Sequence, residues 1–152
     1  MFKVKNGVTL ISLVIIIIVM LIILGITVTT ADELLRNTDI KKFQTNLYLI
    51  EARAQTMLND YLFDGTDKLG AELDDVNISK FDWEENTSKY VYREWNIAEL
   101  KKQGIDTSNI AENEKFIIKY DIINEVVDVA STRGIVDSDG EEKYTLSSLK
   151  EE

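Results

Sequence analysis

Residues 8–28 read Val8-Thr9-Leu10-Ile11-Ser12-Leu13-Val14-Ile15-Ile16-Ile17-Ile18-Val19-Met20-Leu21-Ile22-Ile23-Leu24-Gly25-Ile26-Thr27-Val28. Nearly every position is Leu, Ile or Val, and no residue from Asn6 to Ala31 is charged. Bilayer hydrocarbon is roughly 30 Å thick and takes about 20 helical residues to cross. The run is long enough, and it is read as a membrane-spanning helix. The competing reading is a helix buried in a protein core. That needs a domain able to wrap it on every side, and the rest of the chain is too polar. A cleaved secretory signal has an apolar region of only about 7–15 residues and a small-x-small cleavage site. Thr29-Thr30-Ala31 is a poor site of that kind, and the run is too long.

The flanks give the orientation. Lys3 and Lys5 are the only charges before Asp32, and the far flank opens with Asp32 and Glu33. Positive residues stay inside, so the N-terminus is expected in the cytoplasm and everything after Ala31 outside. The chain has 17 Lys+Arg against 27 Asp+Glu, and the part after Ala31 keeps all the acids but only 15 of the bases. Such an acidic exported part suits a soluble displayed head and argues against direct capture of nucleic-acid phosphates. The chain has no His, no Cys and no Pro. That excludes a Ser-His-Asp triad, a Cys nucleophile, an ordinary zinc site and a disulfide framework. No paired acid/base constellation and no Gly-rich phosphate loop stands out. An enzymatic role is not expected, and nothing points to Ser-Lys chemistry.

The start of the chain, Lys5-Asn6-Gly7-Val8-Thr9-Leu10-Ile11-Ser12-Leu13-Val14 followed by the apolar run, resembles the leader of type IV pilins and type II secretion pseudopilins. The resemblance covers about 20 residues. It implies a leader from Met1 to Gly7, cut after Gly7 by a prepilin peptidase, with Val8 the new and N-methylated terminus. It implies further that the apolar helix becomes the packed spine of a filament. Two positions depart from the family pattern. The first mature residue is Val8 where the family usually has Phe, and the fifth is Ser12 where it usually has Glu. A carboxylate in the membrane is costly and stays only with a partner. Ser12 can bond its own helix backbone and needs none. The departure favours a minor or tip subunit, or a Gram-positive variant that assembles without the charge. The implied partners are the prepilin peptidase, an assembly platform with its ATPase, sister subunits and the membrane, in a machine for secretion, adhesion, motility or DNA uptake. The rival is an uncleaved, membrane-anchored extracellular binding module.

Beyond the span, Ile40, Phe43, Leu47, Ile50, Ala54, Met57 and Tyr61 recur at steps of three and four, with polar residues between them. An unbroken helix from Val8 to Leu62 would be roughly 80 Å long. Its apolar stripe is read as the face onto which a head packs, with a coiled-coil seam as the alternative. Gly25 and the β-branched run to Thr30 form its weakest part, since Gly costs about 1 kcal/mol relative to Ala in a helix. A close helix–helix contact at Gly25 is the other reading.

In the head, Phe63 to Asn86 reads as loop with a short strand near Val76 to Phe81, and Lys89 to Trp95 as a strand. Asn96-Ile97-Ala98-Glu99 reads as a helix start and Gly104 as its stop, with Ile105 placed for the apolar contact beyond. Phe116 to Ala130 reads as a hairpin around Ile123-Asn124, pairing Tyr120 with Val127, Ile118 with Val129, and Lys119 with Asp128. Ile135-Val136 and Lys143 to Leu146 make a last hairpin around Asp137 to Gly140, and Ser147 to Glu152 is a frayed tail. Asp137, Asp139 and Glu141 invite a calcium reading, against which stands a plain Asp-Gly turn in an acidic protein; no other cofactor is expected. Trp83, Trp95, Tyr90 and Tyr92 form either a contact patch or the packing of head onto stem. The expected fold is α+β and pilin-like. It divides into a leader 1–7, a transmembrane spine helix 8–30, an amphipathic continuation 31–62, and a small extracellular head 63–152 with an antiparallel sheet.

Overall fold

The computed structural model describes residues 10–73, 77–85 and 88–150, leaving aside the side chains of 25–30. The protein is α+β: one long N-terminal helix, α1 (Leu10–Asp64), and a five-stranded antiparallel sheet. The chain divides into two compact units, one up to Asp39 and one from Ile40 onward. In the first, α1 is the described element, and its backbone stays helical through 25–30.

The second unit holds the rest of α1 and the sheet. The helix stops where Gly65 donates its N–H to the Tyr61 carbonyl at 2.9 Å, and the Asp64 carboxylate accepts from the next amide, Thr66, at 2.8 Å. The strands follow in simple succession: β1 (Ala71–Glu72), β2 (Tyr90–Trp95), β3 (Phe116–Asp121), β4 (Val126–Val136) and β5 (Glu142–Thr145), each beside the next. Between β2 and β3 lies α2 (Ile97–Lys102). Asn96 caps it by accepting from the Glu99 amide. At its end Ile105 N–H reaches the Leu100 carbonyl and Gly104 N–H the Lys101 carbonyl, each at 3.0 Å. That is the two-bond stop a glycine at positive φ permits, and Gly104 has φ 77°. Both ends are as expected.

The β3–β4 register is also the expected one: Tyr120 faces Val127, Ile118 faces Val129 and Lys119 faces Asp128. The connection is longer than a two-residue turn, because pairing stops at Asp121 and Val126. Asp121 holds the loop together: its Oδ1 accepts from the amides of Ile123 and Asn124, and its Oδ2 from the Asn124 side chain. β4 then runs on past Ala130 through an irregularity to pair Ile135 with Lys143.

One face of the sheet packs on α1. Leu47, Ile50, Ala54, Met57 and Leu58 meet Trp95, Phe116, Ile118, Tyr120, Val127 and Val129, with Phe43 and Tyr61 at the margins. Fully burying such a side chain is worth about 1.5–3 kcal/mol, so this layer dominates the stability of the unit. Leu58 is fully buried although it lies outside the expected stripe.

Three further expectations are corrected. Residues Ile78–Phe81 form a single 3-10 turn, capped by the Asn77 side chain, where a strand was expected. Asn77 offers a local side-chain acceptor, which competes with a strand ladder. Ala71–Glu72, in the expected loop, forms the edge strand. The expected frayed tail folds as α3 (Leu146–Lys150): Leu146 and Leu149 enter the core, and Lys150 pairs with Glu51 of α1 at 2.9 Å.

Candidate functional site

From Leu10 to Leu24 in the first unit the large apolar side chains are all exposed, from 45% at Val14 to 78% at Leu10. Positions around the whole helix circumference are involved, so no stripe is covered by packing within this unit. Among the described residues no helix is long and apolar enough to cross a membrane. Of the expected span, Val8 to Val28, side chains are described only from Leu10 to Leu24. The processing residues Gly7 and Val8 lie outside the described residues, as do the surroundings of Gly25. Ser12 is exposed on the same helix surface as its apolar neighbours.

In the second unit the four aromatics separate. Trp95 is buried in the layer against α1, as the packing alternative expects. Trp83, Tyr90 and Tyr92 lie in or against a cluster on the opposite face, with Phe81, Ile117, Ala130 and Tyr144. The 3-10 turn and Trp83 thus cover the sheet's outer face. The Trp83 indole N–H donates to Asp128 Oδ2 at 3.1 Å, and the Tyr92 hydroxyl donates to the Glu84 carbonyl. Burial, with Tyr90 and Glu84 nearby, pushes the Tyr92 hydroxyl up to about 12. The sequence signal for this second layer was Ile117, an apolar residue that strand alternation puts on the same face as Lys119 and Asp121.

A groove of about 590 Å³ opens beside this cluster, lined among others by Lys80, Trp83, Lys119, Asp128, Tyr144 and Ser147. Its polar groups are largely engaged with one another. Lys80 and Lys119 lie over the Tyr144 and Trp83 rings, and Ser147 donates to Asp128 at 2.6 Å.

The acidic turn is built around Asp137, which is only 2% exposed. Its Oδ1 accepts from the amides of Asp139 (2.9 Å) and Glu141 (3.0 Å), and Lys143 Nζ stands 3.6 Å from Oδ2. Burial raises its pKa, but the two amides and the Lys143 ammonium outweigh that and hold the carboxyl below its ordinary value. The carboxylate closes the turn and pairs with a lysine. Among the described residues no group of three or more acidic side chains is arranged to hold a metal ion.

Comparison with protein-family profiles, with curated proteins and with solved structures gave no match.

Proposed function

We propose that this chain is a structural subunit of a type IV pilus or of a type II secretion-like pseudopilus, possessing no chemistry of its own. The observation that carries the reading is the unbroken exposure of apolar side chains from Leu10 to Leu24. Exposing that much contiguous apolar surface to water is unfavourable, and such a patch marks a surface that something else covers. A bilayer covers it before assembly and neighbouring subunits cover it afterwards. In lipid, helices associate by close fit, and a small residue such as Gly25 lets a neighbour's helix approach closely. The leader Met1 to Gly7 is removed on the cytoplasmic side by a prepilin peptidase, Val8 is N-methylated, and an assembly platform with its ATPase adds the subunit to its sisters. The head stands outside a cell that is Gram-positive in type. Ser12, lacking the usual carboxylate, fits a minor or tip subunit, or a Gram-positive variant that assembles without that charge.

Mass spectrometry of the N-terminal peptide from protein made in its native host tests this. A peptide beginning at methylated Val8 is the expected result. An intact Met1 start in mature protein overturns the filament reading in favour of a permanently anchored binding module.

A further inference from the structure

We infer that Asn77 is an acceptor for N-linked glycosylation, its side-chain nitrogen receiving an oligosaccharide on the outer face of the membrane. The inference rests on the head being exported, as proposed above.

Of all the asparagines in the chain, only Asn77 and Asn86 are followed two residues later by Ser or Thr: Asn77-Ile78-Ser79 and Asn86-Thr87-Ser88. This is the acceptor pattern for N-glycosylation, and it calls for a surface loop in an exported protein. Both occurrences carry an acidic residue two places earlier, Asp75 and Glu84. Asn86 lies outside the described residues.

Asn77 sits between β1 and β2, and it and Ser79 are both exposed. Its Oδ1 accepts from the Ser79 amide at 3.1 Å and also from the Ser79 hydroxyl. The hydroxyl residue of the pattern is therefore held against the carboxamide that would be modified. Among the described residues Asn77 Nδ2 donates no hydrogen bond. The chemistry leaves the local fold intact. Glycosylation replaces one Nδ2 hydrogen and keeps Oδ1, the atom that caps the 3-10 turn.

The donor required is a lipid-diphosphate-linked oligosaccharide, and the catalyst is a membrane oligosaccharyltransferase. Nδ2 forms a bond to C1 of the first sugar as the C1–O bond to the diphosphate breaks. The lipid diphosphate leaves with the bonding electron pair, and the Nδ2 proton passes to a base of the transferase. No oxidant or reductant enters.

The test uses the full chain from its native host. Protease shaving of intact cells first reports whether the head is outside. Mass spectrometry of the Asn77 peptide then reports the sugar. The expected result is a shaved head whose Asn77 peptide is heavier by one or more sugar residues. Ser79→Ala abolishes that mass and Ser79→Thr restores it. Rescue by threonine separates acceptor recognition from a merely structural role of Ser79. An unmodified Asn77 peptide in a head that is shaved overturns this inference and leaves the topology standing. A head protected from the protease overturns both.

Discussion

Trp95 on β2 and Tyr120 on β3 donate to the same acceptor, the main-chain carbonyl of Leu69, each at 2.8 Å. Both side chains are fully buried in the layer against α1, and Leu69 is 1% exposed. The two strands thereby fix the segment that follows α1 and leads into β1. Burial pushes the Tyr120 hydroxyl well above its ordinary range, so it stays a donor at any pH the protein meets.

A carbonyl with two donors tolerates the loss of one. Tyr120→Phe should cost only about 1 kcal/mol, the net worth of one hydrogen bond. Trp95→Phe should cost more, because it also vacates volume in the core. The double variant leaves Leu69 O buried without a donor, a penalty of about 1–3 kcal/mol that neither single variant incurs. The expected double-mutant cycle is therefore more than additive. Urea denaturation of the four proteins measures it. Simple additivity would mean that water or another donor reaches Leu69 O.

Gly70 adjoins that carbonyl at φ 123°, and a Cβ built there would lie 2.4 Å from Trp95 Nε1. Gly140 also has positive φ, 83°, but open space around it. Gly70→Ala combines backbone strain with overpacking of about 1–3 kcal/mol, whereas Gly140→Ala incurs the strain alone. The expected order in thermal unfolding is wild type, then Gly140→Ala, then Gly70→Ala well below. Equal losses would show that the tryptophan ring yields freely.

Asp121 links the unit's stability to pH. Burial raises its pKa, but the amides of Asn124 and Ile123, the Asn124 side chain and Lys89 bring it below the ordinary 3.8. A carboxyl whose folded pKa is depressed stabilises the fold above its unfolded pKa, and that contribution fades as pH falls through the folded value. Asp121→Asn should therefore melt below wild type at about pH 6, with the gap closing on titration to about pH 2.5. A gap that persists undiminished at low pH would assign the effect to loop geometry instead of ionisation.

Legibility in the sequence followed the range of the interaction. The α2 ends were readable because Asn96, Glu99, Gly104 and Ile105 act on backbone only a few residues away. The β3–β4 register was readable because a two-residue slip would set Asp121 against Asp128. The missed elements owe their form to distant partners. Ala71–Glu72 is a strand only because Arg93 and Glu94 stand beside it. The helix at Leu146 exists because Leu146 and Leu149 find the core and Ser147 finds Asp128. Leu58 falls beside the stripe of three- and four-residue steps, yet is buried because the sheet is wider than one stripe. At the N-terminal end the limit is different. The apolar run announces a covered surface, and on the proposed reading its cover is lipid or another subunit, which no contact within the chain encodes.

That difference supplies a last prediction. Ile17 and Leu49 are almost equally exposed, at 49% and 50%, one on each unit's part of α1. Judged by the single chain, Arg at either position is harmless: both side chains face outward and neither leaves a cavity. A bilayer or a filament breaks the equivalence. Arg near the centre of a membrane helix costs about 2.5–3.5 kcal/mol on insertion scales, and in a filament core it is a buried charge with no partner. On the proposed reading Leu49→Arg meets neither penalty, because that position then lies in the head unit outside the membrane. Ile17→Arg should abolish recovery of the chain in surface filaments, and Leu49→Arg should leave it near wild type. The thermal transition of the head, followed by tryptophan fluorescence, should be unmoved in both. Equal filament yields from the two variants would sink the spine reading, since nothing would then be covering Ile17 that spares Leu49.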